Sequence, residues 1–123
     1  MNTSIKSGLI FSDDSSTLRD CEHIVISVPT PLTDFKPPFS YVISAAQEIA
    51  KMLLKGQIII LESTTYPGTT LEVFIPEIQK ISDLKPGEDI FFGYSPERID
   101  PGNKEWNFKN TPKVVRGINN DSL

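Results

Sequence analysis

The chain predicts an α/β fold, a parallel sheet flanked by helices, and three features carry that expectation. Short, nearly continuous apolar runs rich in β-branched and aromatic residues recur at "HIVISV" (23–28), "QIIIL" (57–61) and "DIFFGY" (89–94). Runs of this kind suit strands buried on both faces. Segments of helical period separate them, and the links are short. Strand, helix, strand, helix, strand in that order is the pattern of right-handed parallel βαβ units.

Each element has its own warrant. A short helix, "SSTLRDCE" (15–22), feeds the first strand, and the acidic pair Asp13-Asp14 before it reads as a helix cap. In "FSYVISAAQEIAKMLLKG" (39–56), Val42, Ile43, Ala46, Ile49, Ala50, Leu53 and Leu54 recur at helical spacing. Ser40 is expected to cap that helix and Gly56 to stop it. The second helix, from Thr69 to about Ile81, carries Leu71, Phe74, Ile75, Ile78 and Ile81 on one face, and Pro76 must kink or split it. Beyond the third strand, "DPGNKEWNFKN" (100–110) reads as an ordered surface loop and "TPKVVRG" (111–117) as one more short strand. The sequence holds no repeat and no low-complexity tract.

Composition narrows the function. A chain of 123 residues is one small domain or a piece of a larger protein. Sixteen acidic against 12 basic residues give a net charge of −4, and the basic ones are scattered, which argues against a nucleic-acid partner. No apolar run approaches a membrane span and the polar start "MNTSIKSG" has no signal-peptide core, so a soluble, cytoplasmic chain without a membrane partner is expected. Cys21 is the lone cysteine and His23 the lone histidine. An internal disulfide and a thiolate zinc site are thereby excluded, and no metal is expected.

The chemistry gathers at the strand ends. In an open parallel sheet, ligands bind outside the carboxyl ends of the strands. Three unusual clusters fall there: "VPTP" (28–31), "ESTTYPGTT" (62–70) and "SPERIDPGN" (95–103). The second packs Ser63, Thr64, Thr65, Thr69 and Thr70 into a short stretch, and short hydroxyls suit a place where backbone and ligand come close. A helix starting at Thr69 or Thr70 would point free amides at the same edge, implying a phosphate or carboxylate. Singly, each cluster has an ordinary explanation: a proline turn, a threonine cap, or a solvated Glu97–Arg98 ion pair. Their coincidence on one edge favours a site.

The same strings carry a resemblance. "VPTPL", "FSYVISAAQEIAKMLLKGQIIILESTTYPGTT", "YSPERIDPGN" and "PKVVRG" together resemble the UDP-sugar 6-dehydrogenases, nearest the branch acting on UDP-N-acetylhexosamines, over about residues 18–117. The resemblance implies a Rossmann-type parallel sheet, with residues 1–123 as a partial NAD-binding domain, its second half. It implies a cytoplasmic enzyme of polysaccharide biosynthesis, a homo-oligomer at full length, that oxidises the C6 hydroxyl of a UDP-sugar to the carboxylate with NAD through an enzyme-bound thioester. The family's glycine-rich turn, catalytic lysine and thioester cysteine have no counterpart here. Cys21 lies before the first strand and does not match that cysteine. The chain alone is therefore expected to be inactive.

Residue by residue, the resemblance makes Val28, Pro29, Thr30, Ser63, Thr64 and Thr70 cofactor-binding. It makes Glu97 and Thr64 catalytic, acting on a water near C6, with Thr65 the alternative if Pro67 sets the alignment. Glu97, Arg98 and Ile99 are implied to touch the sugar nucleotide, and an arginine suits a pyrophosphate or carboxylate. Glu97, partly desolvated beside Phe91, is expected to hold a proton near neutral pH. Pro101 stands where the UDP-glucose branch has a second glutamate, which tilts the substrate toward an N-acetylated sugar. Two other classes share the topology. Another NAD(P)-dependent dehydrogenase would lack "SPERIDPGN", and a flavodoxin-like binding module of receiver type needs an aspartate where the first strand ends in Val28-Pro29.

Overall fold

The computed structural model describes residues 8–31, 39–100, 102–107 and 109–123. The polar start at 1–7 and Pro101 lie outside the described residues. Four strands form one sheet in the order β1 (His23–Ile26), β2 (Ile58–Leu61), β3 (Phe91–Tyr94) and β4 (Arg116–Gly117). The first three run parallel; β4 pairs antiparallel with β3, so the sheet is mixed at that edge. Only two residues of "TPKVVRG" join it.

The register explains which apolar residues are buried. Ile24, Ile59 and Phe92 lie abreast, followed by Ile26, Leu61 and Tyr94. All but Tyr94, which packs partly buried against the core, are among its buried residues. Above them sits α1 (Ser40–Ala50), whose Val42, Ala46, Ile49 and Ala50 share one face at helical spacing. Beside it lie a π-helical turn (Thr70–Phe74) and α2 (Ile75–Gln79), which contribute Phe74, Ile75 and Ile78. Phe74 meets Phe92 edge to face, centroids 6.3 Å apart.

The opposite face departs from the expectation of a sheet covered on both sides. Its residues are His23, Ile58 and Phe91, then Val25, Ile60 and Gly93. Val25 is 53% exposed, and Ile58, Ile60 and Phe91 are only half-buried. Among the described residues, α1 and α2 pack on the other face. Periodicity could not reveal this, because the β2 run is apolar at every position whether or not a partner covers it.

The helices are shorter than their apolar patterns, for local reasons. Ser40 is the first residue of α1, not its cap; Phe39 holds the cap position, with no side-chain hydrogen bond, and packs edge to face on Tyr66 at 5.1 Å. After Ala50 the chain breaks into turns, and Gly56 reverses it at φ +90° rather than stopping the helix directly. Buried Gln57 satisfies that turn: its carbonyl accepts from Leu54 N at 2.8 Å and its amide donates to Leu18 O and Cys21 O at 3.0 and 2.7 Å. Pro76 splits the second helix as expected. It has no N–H for the carbonyl of Glu72, and just before it the Ile75 amide reaches back five residues to Thr70 O, widening one turn. Ser15–Asp20 is a 3₁₀ turn with Asp14 as its cap, accepting from Ser16 N at 2.9 Å.

Candidate functional site

The loops beyond β1 and β2 are fastened to one another. Ser63 is buried, and its Oγ accepts from Val28 N at 2.7 Å and donates to Val28 O at 2.8 Å. Thr30 Oγ1 donates to Thr64 O at 2.8 Å. The prolines on either side of Thr30 fix their own φ, so two hydroxyls complete a stiff bridge across the strand ends. Ser63 is thus a strut with its hydroxyl engaged inside the chain. Thr30 keeps acceptor capacity, and Thr64 is exposed.

The chain then enters the second helix through Gly68, at φ +96°, where a Cβ would stand 2.7 Å from the Glu72 carboxylate folded over it. The expected sheaf of free amides is reduced here. Thr69 N donates to Tyr66 O, and Leu71 N and Glu72 N both donate to Gly68 O. Among the described residues the amides of Gly68 and Thr70 have no acceptor. A cavity of about 200 Å³ opens between this loop and the β3–β4 edge, lined by Thr65, Gly68, Thr70, Tyr94, Arg116 and Ile118 among others. Tyr94 Oη stands 3.4 Å from both Thr65 N and Thr65 O. Thr65 Oγ1 is buried without a hydrogen-bond partner among the described residues.

Beyond β3, Glu97 curls back on its own backbone. Its Oε1 accepts from Arg98 N at 2.6 Å and Ile99 N at 2.9 Å, and its Oε2 lies 3.2 Å from Lys113 Nζ. These contacts correct the expectation of a proton-holding, desolvated acid. Glu97 is exposed, and its carboxyl lies below the ordinary value of 4.5, chiefly because the Arg98 and Ile99 amides stabilise the anion, with Lys113 adding to them. It is ionised at neutral pH. Its ion-pair partner is Lys113, whereas the exposed Arg98 turns Nη1 to Pro112 O at 3.4 Å.

Parallel register brings the candidate residues to one edge. Leu61 lies opposite Tyr94, and Ser95 N continues the pairing to Leu61 O at 3.0 Å. Thr64 and Glu97 each stand three residues past that pair, and Val28 is tied to the same edge through Ser63. Sequence reasoning missed Tyr94, Glu62 and Lys113. Lys113 Nζ bridges Glu62 Oε1 at 2.7 Å as well as Glu97, contacts 51 and 16 residues apart in sequence that no local pattern announces. Among the described residues no three His, Cys, Asp or Glu side chains are grouped to hold a metal, and no helix is long and apolar enough to cross a membrane.

Comparisons with known proteins place the chain in a family. Residues 1–123 match the NAD binding domain of the UDP-glucose/GDP-mannose dehydrogenase family. The chain is 43% identical over 112 residues to UDP-N-acetyl-D-glucosamine 6-dehydrogenase of Pseudomonas aeruginosa, covering 90% of this chain and 26% of that protein. It is 36% identical over 110 residues to the enzyme of the same name from Salmonella typhi, covering 89% and 26%. Among solved structures, the NDP-N-acetyl-D-galactosaminuronic acid dehydrogenase of Methanosarcina mazei superimposes with a TM-score of 0.78 at 31% identity, covering 87% of this chain and 23% of that one. The chain thus spans about a quarter of the length of the relatives it matches. With a mostly parallel sheet and a match along residues 1–123 to its NAD binding domain, this chain belongs to the UDP-glucose/GDP-mannose dehydrogenase family.

Proposed function

We propose that this segment is the second half of an NAD-binding domain and serves the NAD-dependent oxidation of the C6 hydroxyl of a UDP-N-acetylhexosamine to the uronate. The observation that carries the reading is the register at the sheet edge, which sets Thr64 and Glu97 at equal steps beyond neighbouring strands, one with an exposed hydroxyl and the other with an ionised carboxylate. Thr64 is preferred to Thr65, whose hydroxyl is buried.

The residues present fit the cofactor. Thr30 and Thr64 offer hydroxyl oxygens, Thr70 lies half-buried at the helix entry, and the Gly68 and Thr70 amides lack acceptors among the described residues. Hydroxyls and free amides are the donors and acceptors that ribose and phosphate oxygens require. When bound, NAD supplies the hydride acceptor. Val28, Pro29 and Thr30 form the rigid wall on one side, kept in place by Ser63. Glu97 accepts the proton of a water that Thr64 orients. Arg98, with guanidinium donors to spare, faces the pyrophosphate or carboxylate of the sugar nucleotide, beside Ile99.

Titration of the ¹⁵N-labelled chain with NAD⁺ should shift the amides of Val28, Thr30, Thr64 and Thr70. UDP-N-acetylglucosamine should shift those of Glu97, Arg98 and Ile99. Resonances that stay fixed under both ligands would remove the reading. The chain by itself should form no NADH with either sugar branch, and turnover would overturn its place as one part of a larger catalytic unit.

A further inference from the structure

We propose that Lys113 is the positioning residue of Glu97, a shared cation that holds the carboxylate at the sheet edge while Glu62 competes for the same ammonium. The inference rests on the reading of Glu97 as the proton acceptor. Three separately built pieces of chain meet here: Glu62 directly follows β2, Glu97 follows β3, and Lys113 lies just before β4. The ammonium sits 2.7 Å from Glu62 and 3.2 Å from Glu97, with all three side chains about one-third exposed (38%, 31% and 41% for Lys113, Glu62 and Glu97). Arg98, the other cation beside Glu97, directs its guanidinium to the Pro112 carbonyl, so it reinforces the path of the chain entering Lys113 instead of pairing with the carboxylate.

Charge arithmetic makes the sharing consequential. Two carboxylates and one ammonium leave the cluster at −1, and without the ammonium the two carboxylates at neighbouring strand ends would repel. An ammonium has three rotatable donors, so it can serve both acids at once. Its hold on Glu97 is the weaker arm, as the longer distance states. The backbone amides of Arg98 and Ile99 fix Oε1, and Lys113 fixes Oε2, so the plane of the carboxylate is set by both. A water at this edge therefore meets a carboxylate of defined direction and charge.

The sharing predicts shifts of opposite sign from two substitutions. Carboxyl-carbon NMR of ¹³C-labelled chain follows the titration of Glu97, with the carboxyls of Asp14 and Asp89 as internal references held by other partners. Lys113→Met keeps the stem and removes the charge, and the Glu97 midpoint should move up; Lys113→Arg should restore it. Glu62→Gln releases the ammonium to its second partner, and the Glu97 midpoint should move further down. Both shifts should shrink as salt is raised to about 1 M, where exposed charges are screened within about 3 Å. A role in stability alone would lower the unfolding midpoint and leave the Glu97 titration in place. A Glu97 midpoint unmoved by Lys113→Met, or moved up by Glu62→Gln, overturns the proposal. No ligand is used, so the result stands apart from the NAD⁺ titration: fixed amides there with the opposite shifts here would remove the enzyme reading and keep the cation clamp.

Discussion

Replacing Ser63 by alanine tests whether the strand-end bridge is held by one hydroxyl. The Ser63 Oγ makes two hydrogen bonds to Val28, at 2.7 and 2.8 Å, from a residue that is 7% exposed. Each such bond contributes about 1 kcal/mol net, and a half-buried amide left without a partner adds a desolvation cost of about 1 kcal/mol or more. The loss should be about 2–3 kcal/mol. At about 2.1 cal/mol/K of unfolding entropy per residue, a chain of 123 residues loses about 4 °C per kcal/mol, so the thermal midpoint should fall by about 8–12 °C. Urea unfolding should show the same loss with an unchanged slope, since the surface exposed on unfolding does not change. Amide exchange adds a local readout: Val28 should lose protection while Ile59 and Phe92 in the core keep theirs. A loss under about 0.5 kcal/mol with Val28 still protected would refute the argument, because water or a shifted backbone would then be doing the work assigned to the hydroxyl.

Three further outcomes follow from other contacts. Gly117→Ala should destabilise by about 1–3 kcal/mol in urea, since its Cβ would lie 2.6 Å from the backbone of Ser122, which cannot swing aside. Acid should weaken the fold: Asp14, Glu48, Glu77, Asp89 and Glu97 all titrate below their ordinary values of 3.8 or 4.5 because hydrogen bonds hold the anions. Groups depressed in the folded state stabilise it above the ordinary value and cease to as pH falls through the folded one, so circular dichroism in mild urea should show stability flat above about pH 5 and falling beneath about pH 4. The uncovered sheet face should bind a dye for apolar surface, and Val25→Ser, placed at its most exposed apolar residue, should reduce that fluorescence without lowering the thermal midpoint by more than a few degrees.

The parallel core was legible because β-branched runs alternate with helical periods, and the three strands appear where those runs stand, each trimmed to four residues. Pro76 announced the split in the second helix through chemistry that belongs to proline alone. Asp14 announced a cap in the same way. Ser40 misled, because a serine at the head of an apolar run predicts a cap only if the chain enters at the right angle, and Phe39 packing on Tyr66 sets that angle from a residue 27 positions away. The gathering of the candidate residues at neighbouring strand ends was legible from topology. Their electrostatics were not: a glutamate in "SPER" gives no sign that its carboxylate will turn back to two amides and meet Lys113. Those contacts depend on where β4 joins the sheet, and a two-residue strand is too short to leave a pattern.

The widened turn before Pro76 has a consequence for changes in chain length. A π turn amounts to an α-helix with one residue inserted, and each residue of an α-helix advances the chain by about 100° around the axis. Because the wide turn already absorbs the extra residue, deleting one residue within 70–74 would close it to an ordinary turn and leave Thr70 at about its present bearing, with Ile75 and Ile78 still seated in the core. The plain helix so formed would drive the Pro76 ring against the carbonyl four residues before it. Insertion and proline are thus coupled: a one-residue deletion should be tolerated only together with Pro76→Ala.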